Sequence, residues 1–460
     1  MNQYNNKTSI RGRIKQFILR QKYPYLTTYL KEFAETDTYD KQQIEEYQQH
    51  KLSALLNFAY LHVPYYHRVF DELRLLPEDI HTTSELSKLP ILTKEIIWRE
   101  GKNMHADVVL KGVKAGTTSG STGKSLVFLK NSEAREIERA LMTRYRRNGG
   151  VNELQYAISI WGSHSFAKID RLKGGIISWL MNEKNYNSYD LSEDNVAKIV
   201  KDLQSGKVHY LRGYTSAVFY VAQVMNKHHI HVDVPFISVT AEQLYDFQRA
   251  EIENAMGRNI FNQYGCGECG ALAMECNTHN GLHHAMEHSI IEVLDENDES
   301  ARQGRVILTN LDNYAMPLIR YENGDMVTLA EKECSCGRHS QLIAHIDGRK
   351  YDILEGEPGH FAHGGFFDDC FLKVNLVNKY NIRQMRIVQI EQTVFCFQYV
   401  AEKEIESSDQ SILTGDYKKM LGDSIKLQFV RKDEINSATS GKRHFVIPLN
   451  AYLKNPDFYR

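Results

Sequence analysis

The stretch Ala115-Gly-Thr-Thr-Ser-Gly-Ser-Thr-Gly-Lys-Ser125 is the most informative segment of this sequence. It places glycines and hydroxyl residues around a single lysine. Glycines allow the backbone to turn its N–H groups toward an anion, and hydroxyl groups add further donors. The segment therefore predicts a loop that binds phosphate. A surface linker rich in Gly, Ser and Thr is the alternative, because short motifs have low specificity.

Two observations separate this loop from the P-loop of nucleoside triphosphatases. The P-loop pattern would end at Gly123-Lys-Ser125 and would need glycine at position 118, which is Thr118. A P-loop also leads directly into a helix, whereas Leu126-Val-Phe-Leu129 is typical of a strand. We therefore predict a hinge between two strands that closes over phosphates.

The chain around the loop alternates short β-branched runs with helical stretches, from about Gly112 to Arg349. Helices between strand-like runs predict an α/β fold with a largely parallel sheet. Later runs follow one another without helices, and they predict a mixed β region. The strand-like runs are Gln155–Ile160, Val208–Leu211, Phe236–Thr240, Ile260–Tyr264, Ile290–Leu294 and Arg305–Asn310.

The length of 460 residues, together with a change in the pattern of predicted helices and strands after Asp352, predicts two domains. The large domain covers residues 1–352 and begins with a helical region over residues 1–110. There, Ile44–Tyr60 has helical periodicity that ends before Pro64. Residues 353–460 are predicted to form a small, mobile α+β lid domain. Its predicted elements are helices at Phe371–Tyr380 and Ser411–Leu421 and paired strands at Met385–Glu391 and Val394–Val400.

Composition excludes several classes of protein. Hydrophobic residues make up 42% of the chain and charged residues 25%, which is the balance of a globular protein. The formal net charge of −2 implies no attraction to nucleic acid. The sequence contains neither a run of eighteen apolar residues nor the apolar core of a signal peptide. We therefore expect a cytoplasmic protein without a membrane-spanning helix.

The N-terminal region carries an excess of positive charge. Residues 1–31 contain seven Lys or Arg and no acidic residue. Within them, Arg11–Arg20 is compatible with a basic amphipathic helix that associates weakly with an anionic membrane surface. The simpler alternative, which we favour, is a solvated helix that packs a few apolar residues on the protein.

Thr118-Ser-Gly-Ser-Thr-Gly-Lys124 resembles the phosphate loop of adenylate-forming enzymes, the group that includes acyl-CoA ligases and peptide-synthetase adenylation domains. The most similar subgroup contains phenylacetate–CoA ligases and capsular-polysaccharide adenylyltransferases of the CapK type. Their loop usually ends Gly-Lys-Pro, and this chain departs from that pattern at Ser125. The resemblance implies that the loop binds ATP. The implied residues are Thr117, Thr118, Ser119, Gly120, Ser121, Thr122, Gly123 and Lys124.

A second segment, Asn262-Gln-Tyr-Gly-Cys-Gly-Glu268, resembles the Tyr-Gly-x-x-Glu motif of this family. The resemblance implies that Tyr264 and Gly265 bind the adenine end of ATP. It also implies that Glu268 helps to hold Mg²⁺ at the phosphates. That role suits the ion, which prefers oxygen ligands and usually takes one or two carboxylates from a protein. The alternative for Glu268 is an ordinary surface carboxylate beside a glycine turn.

Two later segments resemble the family's motifs for the ribose and for the domain junction. Pro317-Leu-Ile-Arg-Tyr-Glu-Asn-Gly-Asp325 implies that Asp325 binds the ribose hydroxyls, although Asn-Gly-Asp alone is more often a turn. Asp347-Gly-Arg-Lys-Tyr-Asp352 implies that Arg349 contacts the nucleotide. In the same segment, Asp352 is implied as the hinge for rotation of the small domain.

The last motif is Thr439-Ser-Gly-Lys442, which resembles the late Gly-Lys motif of the small domain. The resemblance implies that Lys442 is catalytic and reaches the ATP phosphate and the substrate carboxylate. A mobile cation suits this step, because charge moves onto pyrophosphate as it leaves. Phe58–Tyr66 and Leu89–Lys94 also resemble the phenylacetate–CoA ligase subgroup, so the similarity extends over nearly the whole chain.

Cysteine and histidine placement predicts a metal site independently. The two segments at residues 276–283 and 334–336 supply Cys276, His283, Cys334 and Cys336. Three thiolates and one imidazole form a closed tetrahedral site of the structural zinc type, which leaves no open position for catalysis. Similar elements occur in the phenylacetate–CoA ligase subgroup.

Several alternatives to this metal site remain at the level of sequence. Cys266 and Cys269 could join Cys334 and Cys336 in a four-cysteine site, although a metal there would pull Glu268 out of line. His279 or His284 could replace His283. Buried cysteines without metal are the third alternative, and Cys370 and Cys396 are predicted to be core residues of this kind.

The resemblance implies an enzyme that uses ATP and Mg²⁺ to convert a carboxylic acid into its acyl-AMP, with release of pyrophosphate. The expected acyl pocket contains polar side chains, which favours a polar acid. Its candidate residues are Trp161, His164, Arg212, Tyr214, Ala241 and Glu242.

The candidate acceptors of the acyl group are coenzyme A and an amine or hydroxyl of a sugar or amino acid, the latter in surface-polysaccharide biosynthesis. A homodimer is a family-level expectation. The alternative function is an inactive nucleotide-binding regulator or scaffold with the same fold.

Overall fold

The computed structural model describes residues 10–117, 126–161, 178–188, 191–349, 354–357, 360–362, 374, 376–436 and 445–459. The chain forms two compact units. The first unit comprises the described residues within Met1–Tyr156, Ile177–Glu183 and Phe261–Ile346, and the second comprises those within Ala157–Ile176, Lys184–Ile260 and Asp347–Arg460. The domain boundary predicted at residues 352–353 lies outside the described residues and stays a prediction.

The α-helices of the described residues, in chain order, are α1 (Ile10–Lys22), α2 (Leu26–Thr36), α3 (Lys41–His62), α4 (Pro64–Leu73), α5 (Lys94–Glu100), α6 (Ser132–Asn148), α7 (Glu193–Gln204), α8 (Thr215–Lys227), α9 (Asp246–Met256), α10 (Leu376–Tyr380), α11 (Ser407–Leu421), α12 (Leu449–Lys454) and α13 (Pro456–Tyr459). Short 3-10 helices lie at Pro77–Asp79, Thr83–Lys88 and Gly101–Met104.

The β-strands, in chain order, are β1 (Lys114–Thr117), β2 (Val127–Lys130), β3 (Ala157–Trp161), β4 (Glu183–Asn187), β5 (Tyr210–Tyr214), β6 (Phe236–Thr240), β7 (Ile260–Cys266), β8 (Gly270–Glu275), β9 (Leu282–His284), β10 (Ser289–Leu294), β11 (Gln303–Asn310), β12 (Tyr321–Leu329), β13 (Leu342–Arg349), β14 (Leu354–Glu355), β15 (Phe361–Ala362), β16 (Gln384–Glu391), β17 (Val394–Val400), β18 (Lys426–Arg431) and β19 (Val446–Ile447).

The described residues before β1 are largely helical, and the longest of these helices is α3. The side chain of Asp40 caps α3 by accepting a hydrogen bond from the backbone N–H of Gln43, and the side-chain oxygen of Gln43 accepts one from the backbone N–H of Asp40. The apolar face of the helix is fully buried, at Leu52, Leu55, Leu56 and Ala59. Pro64 ends α3 as expected and is also the first residue of α4, a position where its missing N–H costs nothing.

The two strands predicted on either side of the loop are confirmed, whereas the hinge over phosphates stays a prediction. β1 and β2 form an antiparallel pair in which Thr117 lies opposite Val127. Gly116 faces the ring of Phe128, which a Cβ atom at this position would approach to 2.4 Å, so a larger residue would force the ring to move. Residues 118–125 lie outside the described residues.

The first unit contains the mixed β region that the sequence predicted. Seven strands follow the order β10-β11-β12-β13-β9-β8-β7. The pairs β10–β11, β11–β12, β13–β9, β8–β9 and β7–β8 are antiparallel. Helices of the N-terminal region pack on the apolar core of this unit, which includes Phe70, Leu308 and Tyr321.

The second unit contains the parallel part of the fold. Its strands follow the order β6-β5-β3-β4, and β5 pairs in parallel with both β3 and β6. The helices α7, α8 and α9 alternate with these strands along the chain, as the sequence predicted.

The C-terminal α+β elements belong to the same unit. β16 and β17 pair antiparallel as predicted, and β19 and β18 add to them in parallel, giving the order β18-β17-β16-β19. Gln223 on α8 donates to the backbone carbonyl of Ile382 at 2.5 Å. The helix predicted at Phe371–Tyr380 is described only as α10, at Leu376–Tyr380. The predicted C-terminal helix begins earlier than expected, at Ser407.

The basic N-terminal segment forms helix α1, which packs on the first unit through Gly12, Lys15 and Leu19. Ile10 and Phe17 lie on the exposed face of α1. In the described part of the chain, no helix has both the length and the apolar character needed to cross a bilayer.

Candidate functional site

Glu268 lies in the short turn between β7 and β8 and is buried, although the sequence motif could equally have been a surface turn. The hydroxyl group of Tyr321, on β12, donates to Oε1 of Glu268 at 2.8 Å. Burial, reinforced by the neighbouring carboxylate, raises the pKa of Tyr321 far above its usual value. Tyr321 therefore remains neutral and donates its hydrogen bond to Glu268. This bond orients the Glu268 carboxylate, whose other oxygen, Oε2, is the one that could bind a cation.

Tyr264, Asn323 and Asp325 form a closed hydrogen-bonded triangle. The Tyr264 hydroxyl group donates to Oδ2 of Asp325 at 2.9 Å, and the amide of Asn323 donates to both partners, at 2.9 and 2.7 Å. Burial, followed by the charge of Asp325, raises the pKa of Tyr264 well above its usual value. The tyrosine and aspartate that the family resemblance assigned to adenine and ribose are thus directly bonded to each other.

The strand β12 contains a bulge at residues 323–325, where Asn323 and Asp325 lie. Arg305 lies opposite Met326 and Ile307 lies opposite Glu322, so the three residues 323–325 share one position on β11. Gly324 has φ 88°, a conformation that glycine adopts without steric cost. The Asn-Gly-Asp sequence is therefore a strand bulge within the site rather than a turn between elements.

Gly265 directly follows Tyr264 and has a steric reason to be glycine. A Cβ atom at this position would lie 2.5 Å from the carbonyl oxygen of Gly270 on the neighbouring strand. Its absence allows β7 and β8 to approach closely at the start of the turn that carries Glu268.

The predicted acyl-pocket residues of the second unit lie at the ends of its parallel strands. Trp161 is the last residue of β3 and Tyr214 is the last residue of β5, and their rings contact each other at 4.4 Å between centroids, with their planes tilted by 41°. The guanidinium group of Arg212 lies 5.6 Å from the centre of the Trp161 ring, and its Nε donates to Ser159 at 2.9 Å. Ligands of open α/β sheets bind at such carboxyl ends of strands.

Ala241 and Glu242 directly follow β6. Ala241 has φ 70°, a left-handed conformation that costs roughly 1–2 kcal/mol for a residue with a Cβ atom. The carboxylate of Glu242 accepts from the backbone N–H of Ser216 at 2.7 Å, and its carbonyl accepts from Thr215 at 3.2 Å. Glu242 therefore binds the first turn of α8, a contact in which its charge also complements the helix dipole.

The structure brings together the four residues predicted as metal ligands. The ligand atoms of Cys276, His283, Cys334 and Cys336 all lie within 4.8 Å of one another. Sγ of Cys276 is 3.6 Å from Sγ of Cys334, and Sγ of Cys336 is 3.3 Å from Nε2 of His283. Zinc–sulfur bonds of about 2.3 Å at the tetrahedral angle separate two thiolates by about 3.8 Å, so the donor set fits a zinc ion.

The surroundings of this cluster favour metal binding. Nδ1 of His283 lies 3.2 Å from the hydroxyl oxygen of Ser340, which orients the ring as an outer-shell partner would. Burial, assisted by the charge of Arg338, lowers the pKa of His283 to about 4 and keeps its imidazole neutral, as a ligand must be. Arg338 also pairs with Asp37 at the end of α2.

The alternative histidines and cysteines have other partners. His279 pairs with Glu275 at 3.2 Å, and His284 contacts the hydroxyl of Ser289 at 3.0 Å. Among the described residues, the grouping of metal-ligating side chains contains neither Cys266 nor Cys269. Those two cysteines contact each other, with Sγ of Cys266 3.4 Å from the backbone nitrogen of Cys269.

The structure describes several predicted site residues only in part or not at all. Thr117 lies at the exposed end of β1, and the backbone of Arg349 ends β13, but the side chain of Arg349 is outside the description. The remaining ones lie outside the described residues; they are Thr118, Ser119, Gly120, Ser121, Thr122, Gly123, Lys124, His164, Asp352 and Lys442.

Sequence reasoning missed two residues of the site, Tyr321 and Asn323. Both lie in the motif that was assigned through Asp325, at alternate positions of the same strand. Side chains at alternate positions of a strand share a face, so a strand assignment for this segment would have found them.

No protein-family model matches the chain. The phenylacetate–coenzyme A ligase of Thermus thermophilus is 24% identical over 341 residues, which cover 70% of this chain and 73% of the relative. Protein CapK of Staphylococcus aureus is 25% identical over 317 residues, which cover 67% of this chain and 69% of the relative. The solved structure of 2-hydroxyisobutyryl-CoA ligase in the postadenylation state has a TM-score of 0.72 at 16% identity, covering 92% of this chain and 94% of that chain. The chain has the fold of the adenylate-forming ligases.

These similarities confirm the resemblance that the motifs predicted, both to phenylacetate–CoA ligases and to CapK. They also confirm the α/β fold class with a separate small sheet. Because the relative from Thermus thermophilus and the neighbour in structure are both CoA ligases, the prediction of an adenylate-forming ligase is confirmed.

Proposed function

We propose that the protein uses ATP and Mg²⁺ to convert a carboxylic acid into its acyl-AMP, with release of pyrophosphate, and then transfers the acyl group to an acceptor. The observation that carries this proposal is the arrangement around β12. Tyr321 at its start binds Glu268, and Asp325 beyond the bulge binds Tyr264. One strand thus joins the carboxylate proposed for Mg²⁺ to the residues proposed for the nucleoside.

Each of the proposed site residues binds a different part of ATP or the Mg²⁺ ion. Tyr264 and Gly265 border the adenine, Asp325 accepts from the ribose hydroxyls, and Glu268 contributes an oxygen ligand to Mg²⁺. Residues Thr117–Lys124 bind the phosphates, and Arg349 contacts the nucleotide. The substrate needs no general base, because a carboxylate is already ionised at neutral pH.

Lys442 approaches the α-phosphate during adenylation and offsets the charge that develops as pyrophosphate leaves. Rotation of residues 353–460 about Asp352 then withdraws Lys442 and admits the acceptor. Such a step keeps water away from the mixed anhydride.

The acid is proposed to bind beside Trp161, His164, Arg212, Tyr214 and Ala241. Trp161 and Tyr214 offer apolar ring surface, and Arg212 offers a cation over the same indole. This combination supports a polar acid with a planar or anionic part. Glu242 supports the pocket indirectly, through its contact with the start of α8.

The acceptor is proposed to be coenzyme A, in keeping with the names of the relatives and of the structural neighbour. The similarity to CapK supports an amine or hydroxyl of a sugar as the alternative, in surface-polysaccharide biosynthesis. A cytoplasmic location, a homodimer and the absence of nucleic-acid binding stay predictions.

The helix α1 buries Leu19 on the protein, in keeping with the favoured alternative, and weak association of its other face with an anionic membrane surface is proposed in addition. Its exposed face carries Ile10 and Phe17, and Arg13 and Arg20 flank them without any acidic residue in the helix. Apolar side chains flanked by cations are typical of helices that lie at an anionic lipid interface.

Structural Zn²⁺ is proposed at Cys276, His283, Cys334 and Cys336. The ion would join the β8–β9 connection to the segment before β13, and its four protein ligands exclude a catalytic role.

The proposal is tested by measuring pyrophosphate release from ATP and Mg²⁺ with aryl acetates, amino acids and uronic acids, each with and without coenzyme A. We expect release with one class of acid and a loss of at least tenfold in Lys442→Ala, which removes the proposed catalytic cation. Lys454→Ala, at an exposed lysine on α12, is the matched control and should keep full activity.

Tight ATP binding without release for any acid would favour the regulator or scaffold. Failure to bind ATP would refute the proposal. A response to coenzyme A in product analysis identifies the acceptor.

A further inference from the structure

A buried histidine connects the N-terminal helices to the turn that carries Glu268. His288 is fully buried and lies directly before β10. Its Nδ1 is 2.6 Å from Oδ2 of Asp312, and its Nε2 is 2.5 Å from the carbonyl oxygen of Cys269. A carbonyl oxygen can only accept, so Nε2 donates to Cys269, and the ring connects the carboxylate of Asp312 to that backbone carbonyl.

The far end of this bridge is firmly anchored. Asp312 is 3% exposed and also pairs with Nζ of Lys51 on α3. Burial alone would raise the pKa of Asp312, but Lys51 and His288 together hold it below its usual value. Lys51 also donates to the carbonyl of Glu287 at 2.6 Å, so α3 holds both the aspartate and the backbone next to His288.

The near end of the bridge is a backbone group one residue beyond Glu268. The Cys269 carbonyl accepts from His288 and from the amide of Asn310, at 2.5 and 3.3 Å. Because a peptide unit is planar, these bonds fix the Cα atom of Cys269, which lies about 3.8 Å from that of Glu268. Gly270 follows with φ 78° and supplies no side chain of its own to restrain the turn.

We infer that His288 is a positioning residue for adenylation, because its hydrogen bond to the Cys269 carbonyl holds the turn that presents Glu268 to Mg²⁺. The inference rests on the proposed function. Tyr321 orients the side chain of Glu268, whereas His288 fixes the backbone from which that side chain extends. The bonds of His288 to Asp312 and Cys269 would stabilise the fold even if His288 had no role in the reaction. The test therefore has to distinguish an effect on Mg²⁺ binding from an effect on the stability of the fold.

The test compares His288→Gln and Asp312→Asn with the control His284→Gln. His284 is a second buried histidine of the same segment, but it contacts Ser289 rather than the turn. For each full-length variant, the midpoint of the Mg²⁺ titration of pyrophosphate release is measured alongside the thermal midpoint of unfolding. Loss of an outer-shell partner costs roughly tenfold or more in metal affinity, so we expect a rise of about tenfold in the Mg²⁺ midpoint of His288→Gln.

Asp312→Asn should shift the Mg²⁺ midpoint in the same direction by a smaller factor, and His284→Gln should leave it unchanged. Equal thermal destabilisation in His288→Gln and His284→Gln, with no change in the Mg²⁺ midpoint of either, would overturn the inference.

A second readout separates this inference from the proposed function. Binding of Mn²⁺ to the enzyme–ATP complex, followed by electron paramagnetic resonance, needs neither an acid nor turnover. Weaker Mn²⁺ binding in His288→Gln supports the inference even if no acid tested is adenylated. Unchanged Mn²⁺ binding in that variant contradicts it.

Discussion

The hydroxyl group of Tyr264 on β7 donates a hydrogen bond to the carboxylate of Asp325 on β12, at 2.9 Å. The two residues are separated by 61 positions in the chain, and the amide of Asn323 contacts both of them. The pair places an aromatic ring directly beside a carboxylate. This relationship gives the first prediction.

Tyr264→Phe should weaken ATP binding and lower the free energy of unfolding by about 1–3 kcal/mol. The substitution keeps the ring but removes the hydroxyl that is an acceptor for buried Asn323 and a donor to Asp325. ATP affinity by calorimetry and urea denaturation provide the two measurements. Tyr220→Phe, at a half-buried tyrosine on α8, is the control that should keep ATP affinity. Unaltered ATP affinity in Tyr264→Phe would argue against a nucleoside site at this pair.

The cysteine–histidine cluster should contain one zinc ion per chain. Cys334→Ser should lose the ion and lower the thermal midpoint, because a thiolate ligand disappears from a site that joins two distant segments. Elemental analysis and a thermal scan measure both effects. Cys396→Ser removes a buried cysteine of β17 outside the cluster and should retain the ion. A zinc content near zero in the unaltered protein, purified without chelators, would contradict the site.

Ala241→Gly should leave the free energy of unfolding unchanged or raise it by up to about 1 kcal/mol. Glycine relieves the left-handed strain at φ 70°, which offsets its larger entropy in the unfolded chain. The same substitution at Ala222, a buried residue inside α8, should lower the free energy by about 1 kcal/mol or more. Urea denaturation compares the two variants. A greater loss at position 241 than at position 222 would contradict the strain assigned to Ala241.

Lys15→Met should stabilise the protein at pH 7, by on the order of 1–3 kcal/mol. Burial lowers the pKa of Lys15 to about 8, against the partial compensation of Glu183, while Arg139, Arg146 and Glu153 exert smaller effects of both signs. Between about pH 8 and pH 10.5 the unfolded chain binds more protons at this position, so the native protein gains stability as the pH rises.

The advantage of Lys15→Met should therefore shrink as the pH rises through this range. Thermal unfolding at pH 7, 8.5 and 10 follows the trend. Lys22→Met, at the exposed end of the same helix, should show little dependence on pH. An advantage of Lys15→Met that is constant with pH would contradict burial of the ammonium group.

Local sequence predicted much of the fold because hydrophobic periodicity and turn residues act over a few positions. The strand Phe236–Thr240 and the pair Met385–Glu391 and Val394–Val400 were predicted to within one residue. The motif resemblance also selected Tyr264, Asp325 and Glu268, but as separate segments with separate roles. It could not reveal that Tyr264 bonds to Asp325 or that a third residue joins them.

The bulge in β12 illustrates the limit of local signals. Asn-Gly-Asp has the composition of a turn, and only its pairing with β11 makes it a strand in which three residues oppose one. His288 is a similar case, because its neighbours in sequence do not reveal which groups it contacts. Its role depends on Cys269, 19 positions earlier, and Asp312, 24 positions later.

The sequence by itself determined the α/β class, the strands that flank the phosphate loop and the residue types that fit a zinc site, because these depend on local periodicity and on ligand chemistry. The tertiary structure decided which histidine joins the three cysteines and which side chains hold Glu268. It also decided that Glu242 binds the start of α8. Each of these depends on distances between side chains from elements far apart in the chain, and only the packing of strands and helices sets those distances.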